Sequence, residues 1–153
     1  MPRYRSAIGT FVGLMALGVT VLSSPPANAQ AKTYGGRLSP VPITVAMQEA
    51  VAGTGSMTAV LSENRLTIEG TFTGLRSPAT VGRLHVAPRG IRGPAVADIT
   101  VPKASSGTFK AVVELTDPQR QALEKSGLYV QIHSEKAPEG NLWGWLLPQE
   151  VKR

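Results

Sequence analysis

The chain of 153 residues carries 16 Lys and Arg against 10 Asp and Glu, a formal net charge of +6, and no cysteine. Without cysteine there is neither a disulfide nor a lipobox-type lipid anchor, so stability must come from an apolar core. The basic residues are scattered and not interleaved with aromatics, which argues against a nucleic-acid partner and leaves solubility, or loose attraction to anionic envelope polymers, as the meaning of the charge.

At the start of the chain, Arg3 and Arg5 precede an uncharged apolar run at 7–22, followed by Ser23, Ser24, Pro25 and Pro26. Ala27-Asn28-Ala29 then supplies the small-x-small pattern read by signal peptidase. Residues 1–29 are expected to be a signal peptide cleaved before Gln30, leaving residues 30–153 as one domain of ordinary size. Loss of Arg3 and Arg5 lowers the net charge to +4. The apolar run is shorter than the roughly 20 residues needed to span a bilayer, and no later run approaches that length. The mature protein is expected to be soluble, periplasmic or extracellular, with no membrane span.

From there the dominant period is two, the mark of strands with one buried face. Met57, Ala59 and Leu61 alternate with polar residues, Ser62-Glu63-Asn64 reads as a hairpin turn, and Leu66, Ile68 and Phe72 alternate with Arg65, Thr67, Glu69 and Thr71. Further strands are expected at 80–86, 95–101, 107–115, 128–133 and 141–147, with Gly and Pro in the gaps. Only "TDPQRQALEKSG", 116–127, departs from this period. Thr116 or Asp117 can cap a short helix there, Pro118 suits its first turn and Gly127 can stop it. Many short strands with one helix predict an all-β fold, an antiparallel β-sandwich or Greek-key barrel.

Alternation also sorts the candidate site residues. Leu128, Val130 and Ile132 share one side of their strand, leaving Tyr129, Gln131 and His133 on the other. Leu142, Gly144 and Leu146 likewise leave Trp143 and Trp145 opposite. With 134–140 as a hairpin loop, Tyr129 falls near Trp145 and Gln131 near Trp143 on an outward face. Tyr129, Gln131, Trp143 and Trp145 are therefore a candidate surface for a protein partner or a sugar ring, unless another segment of the fold covers them. A second candidate, an anion or polar site, is Arg83, His85, Arg89, Arg92 and His133, since arginines beside glycine and proline can hold a carboxylate or sulfate.

Nothing in the pattern signals catalysis. Ser134 follows His133, but neighbouring strand residues face opposite ways, so the pair cannot easily act as nucleophile and base. Gly90-Ile91-Arg92-Gly93-Pro94 reads as a turn, since no helical pattern follows it, and the scattered acids suggest no carboxylate pair.

Four blocks resemble the CHRD (chordin-type) domain: "LTIEGTFTGL" at 66–75, "SPATVGRLHV" at 77–86, "SGTFKAVVELT" at 106–116 and "LYVQIHSEKAPEGNLWGWL" at 128–146. The last is similar to the family pattern Leu-Tyr-Val-x-x-His-Ser/Thr followed by Pro-x-Gly-x-Leu/Ile-x-Gly. The resemblance implies a secreted bacterial type of CHRD protein, all-β, with a core similar to the copper–zinc superoxide dismutase sandwich, and a binding or structural module rather than an enzyme. Its partner would be an unknown protein or glycan of the cell envelope.

The alternative is a dismutase-like copper- or zinc-binding protein with an incomplete or rebuilt ligand set. Family members often carry His-x-His where this chain has Arg83-Leu84-His85, and many place His or Asn where it has Ala137. Only His85 and His133 remain, short of the three or four protein ligands usual for zinc, with a cationic arginine beside them. Asp98, Glu135 or Glu139 would have to complete a set, and their spacing does not point to one. No metal and no cofactor are expected.

Overall fold

The computed structural model describes residues 31–150, so the expected signal peptide lies outside the described residues. In chain order the elements are β1 (Lys32–Pro40), a single 3-10 turn (Val45–Met47), β2 (Thr54–Ser62), β3 (Arg65–Thr73), β4 (Ala79–Val86), β5 (Ala95–Ile99), β6 (Gly107–Glu114), α1 (Asp117–Glu124), β7 (Leu128–Ser134), β8 (Ala137–Trp145) and the two-residue β9 (Leu147–Pro148). The strands pair antiparallel in the order β5-β4-β7-β8-β1-β2-β3-β6, with β9 on β1. The end strands β5 and β6 touch, so the sheet is a nearly closed, barrel-like antiparallel structure with one helix.

Alternation builds the interior. Met57, Ala59 and Leu61 of β2, Leu66, Ile68 and Phe72 of β3, Leu128, Val130 and Ile132 of β7, and Leu142 of β8 are all buried in one cluster. Each large aliphatic or aromatic side chain buried in this way contributes about 1.5–3 kcal/mol relative to exposure. β1 holds the two halves together: it pairs with β2 over residues 32–38, then with β8 at Ser39 and Pro40. The β2–β3 hairpin closes tightly, with Ser62 opposite Arg65 and Glu63 at a left-handed φ of 58°. At α1 the Gln119 side chain accepts the Thr116 backbone N–H at 3.0 Å, one arm of a capping box.

The structure differs from the sequence expectation in three places. The helix is stopped by Ser126 at φ 57°, not by Gly127. β1 was not expected, because its glycine pair interrupts the apolar alternation. The 134–140 segment is also not an open loop. Ser134 pairs with Ala137 across a two-residue turn, and the register shifts between Ile132 and Ser134. The extra residues Pro138, Glu139 and Gly140, the last at φ 125°, form a bulge in β8 that keeps Ile132 opposite Leu142. Turn plus bulge thus give the same register as a seven-residue loop, while folding the bulge back over β7.

Candidate functional site

β4, β7 and β8 lie side by side, and their outward residues form one layer on the side of the sheet away from the main core. The register sets Tyr129 opposite Trp145, Gln131 opposite Trp143, Arg83 opposite Gln131 and His85 opposite Tyr129. Within the layer His85 stacks on Tyr129 at 4.8 Å and 11°, Tyr129 meets Trp145 at 4.7 Å, and Trp143 and Trp145 meet edge to face at 4.7 Å and 67°. These are the offset and T-shaped arrangements that ring quadrupoles favour.

The layer is outward but not open. Tyr129 is 1% exposed, Gln131 3%, His133 5% and His85 9%. Two pieces of backbone cover it. The β8 bulge brings the Pro138 carbonyl to His133 Nδ1 at 2.8 Å and the Glu139 carbonyl to Gln131 Nε2 at 2.8 Å. The β4–β5 connection brings the Gly93 carbonyl to His85 Nδ1 at 2.9 Å, while Gly93 N–H donates to the Tyr129 hydroxyl at 3.1 Å. Arg92 joins the two covers by donating to the Glu139 carbonyl at 2.9 Å. The layer reaches solvent at its β8 end, where Trp143 and Trp145 are half-buried, and at Arg83 of β4.

Because a carbonyl can only accept, Nδ1 carries the proton in both histidines and Nε2 carries the lone pair. Among the described residues, both Nε2 atoms are buried without a hydrogen-bond partner, and the ring centroids are 6.4 Å apart. Burial is the largest influence on each imidazole and pushes its pKa below the ordinary 6.5, with Arg83 lowering both further and the carbonyl hydrogen bonds opposing. The sign of the pH dependence follows. Below about pH 6.5 the unfolded chain binds protons that the folded chain refuses, so this contribution to stability is complete above pH 6.5 and is lost on acidification toward the lowered folded values. The melting midpoint should therefore be flat above pH 7 and fall as the pH drops below about 6.5, and a His85→Gln, His133→Gln double variant should lose that slope.

The anion candidates do not converge as one group. Arg83 pairs with Asp98 at 3.1 Å, Arg92 is held on the Glu139 carbonyl, and Arg89 lines a groove with Trp143 and Trp145. That groove, of about 310 Å³, also includes Arg37 and Ser39 of β1, which the sequence reading missed. A signal for them existed, since Tyr34, Gly36 and Leu38 keep the period of two that turns Arg37 and Ser39 outward.

A dismutase-type ligand set does not fit these residues. Among the described residues no group of three or more His, Cys, Asp and Glu is placed to hold a metal. Two imidazole Nε2 atoms with Arg83 and Arg92 nearby, and with Asp98 committed to Arg83, lack the donors such a centre needs. Ser134, adjacent to His133, is buried and accepts from Asn141 Nδ2 at 2.9 Å, while Asn141 Oδ1 accepts the Ala52 N–H at 3.3 Å. Among the described residues, neither side chain makes a hydrogen bond to His133.

Comparison with known proteins gives one positive finding: the family model of the CHRD domain matches residues 38–146, from within β1 to the end of β8. No curated protein and no solved structure matches the chain.

Proposed function

The chain belongs to the CHRD-domain family, and from that premise we propose that it is a non-catalytic binding module acting outside the cytoplasm, which engages its ligand through the Trp143 and Trp145 end of the aromatic layer. The observation that carries this reading is the gradient of burial along the layer. Tyr129 is locked beneath the covers, whereas the two tryptophans packed on it remain half-buried at the surface. Aromatic faces held rigidly from behind lose little conformational entropy when a partner covers them.

The polar groups of the layer support binding rather than chemistry. His85, His133 and Gln131 each spend a side-chain N–H on a backbone carbonyl. Export is supported by the pattern of residues 1–29 and by the extracellular habit of CHRD domains. Among the described residues no helix is long and apolar enough to cross a membrane.

The test is retention of the purified protein, expressed from the full-length sequence, on immobilised envelope polysaccharides and envelope proteins. Trp145→Leu is the comparison, with the melting midpoint as the control for folding. The native protein should be retained, and folded Trp145→Leu should bind at least about tenfold more weakly, as for removal of an aromatic anchor. Retention unchanged by the substitution, or no retention on either class, would overturn the reading.

A further inference from the structure

The groove beside the tryptophans has a chemical character of its own. Trp143 and Trp145 form its aromatic wall, Arg37 from β1 and Arg89 from the β4–β5 connection also line it, and among the described residues no carboxylate does. Both arginines are exposed and, among the described residues, neither makes an ion pair or a side-chain hydrogen bond. Arg83 and Arg92, by contrast, are engaged with Asp98 and with the Glu139 carbonyl. Trp145 directs its indole N–H to the Ala87 carbonyl at 3.4 Å, which fixes that ring, whereas Trp143 makes no such bond among the described residues. Ser39 lies on the same lining.

We propose that this groove binds a carboxylated sugar, a uronic acid unit of an acidic polysaccharide. This rests on the reading of the tryptophan face as the binding surface and adds the ligand class. The apolar C–H face of a pyranose ring matches an indole face. A ring carboxylate supplies the charge that two unpaired guanidinium groups favour and can accept from each in a bidentate manner. The Trp143 N–H and the Ser39 hydroxyl are then placed among the ring hydroxyls. At about 310 Å³ the groove is at the small end of ligand clefts, which suits one ring rather than a folded peptide segment.

The test titrates the purified protein, expressed from the full-length sequence, with oligogalacturonate, with the same oligosaccharide after reduction of its carboxyls to alcohols, and with an oligoglutamate peptide. Indole emission and calorimetry are the readouts. Oligogalacturonate should saturate and perturb the emission, and the exposed pair of changes Arg37→Ser and Arg89→Ser, which touch no core contact, should weaken it about tenfold or more. The reduced oligosaccharide should bind no better than that variant. Equal binding of the reduced and acidic sugars, with the arginine changes silent, would overturn the acidic ligand class while leaving the aromatic face as a binding surface. Tighter binding of oligoglutamate would replace the sugar with an acidic peptide. Binding of oligogalacturonate that survives Trp145→Leu at full strength would count against both this inference and the reading beneath it, and no binding of any probe would overturn the inference alone.

Discussion

Replacing Tyr129 with alanine is expected to lower the unfolding free energy by about 3–5 kcal/mol, the range for truncating a buried aromatic. Tyr129 is 1% exposed and lies at the centre of the outer layer, in ring contact with His85, Trp143 and Trp145. Its loss removes the backing of both tryptophans and leaves a cavity under two backbone covers that cannot collapse without breaking the hydrogen bonds of His85, Gln131 and His133. Tyr129→Phe keeps the ring and removes only the hydroxyl that accepts the Gly93 N–H, so about 1 kcal/mol is expected there. Urea unfolding of both variants, with the indole emission of the folded state, is the measurement. Tyr129→Ala should combine a lower midpoint with a red-shifted, more readily quenched emission. A loss below about 1 kcal/mol for the alanine variant would mean that the layer is not a packed unit.

The outer layer differs chemically from the main core. The main core is built almost entirely of apolar side chains, whereas the layer buries two neutral imidazoles whose Nε2 atoms have no hydrogen-bond partner among the described residues. Taking two imidazoles out of water carries a desolvation cost, which the aromatic stacking and the carbonyl hydrogen bonds offset. The arrangement fixes the tryptophans in position at the expense of stability below pH 6.5, a trade consistent with the proposed binding face.

Much of this was legible in the sequence, and what was not has a physical cause. The inward sets Leu66, Ile68 and Phe72, and Leu128, Val130 and Ile132, follow from the two-residue period, which is imposed by the pleat itself. The same parity carried the pairing of Tyr129 with Trp145 and of Gln131 with Trp143 across a connection whose shape was misjudged. Coverage was not legible, because whether an outward residue meets water depends on the Gly93 and Glu139 backbones, which lie 36 and 8 residues away from the side chains they cover. The proximity of His85 to His133 depends on the pairing of β4 with β7, a long-range choice that no local pattern encodes. Arg37 was missed for a different reason: Gly35 and Gly36 hid its strand, although Gly36 is what allows the strand to run so close to β8.

That point yields the second large effect, expected for Gly144→Ala. A Cβ at Gly144 would lie 2.2 Å from the Arg37 carbonyl oxygen and 3.3 Å from a Leu38 methyl, and a Cβ at Gly36 would lie 2.2 Å from the Trp145 carbonyl oxygen. The two glycines face each other's strand where β1 crosses β8, and neither has a left-handed φ, so the requirement is steric rather than conformational. The obstructing atoms are backbone, which cannot swing aside as a side chain would, so the strands must separate at the point that holds Arg37 against the tryptophans. Overpacking of this kind costs about 1–3 kcal/mol or more. Gly35→Ala is the control on the same strand. There the nearest atom is in the flexible Gln149 side chain at 3.3 Å, and relief of unfolded-state entropy makes the change near neutral. The expected result is a clear drop in the urea midpoint for Gly144→Ala and none for Gly35→Ala, with ligand retention falling in folded Gly144→Ala as the groove opens. If the two alanine variants unfold at the same urea concentration, the β1–β8 crossing yields easily, and the tryptophan face lacks the rigid support on which its role as a binding surface depends.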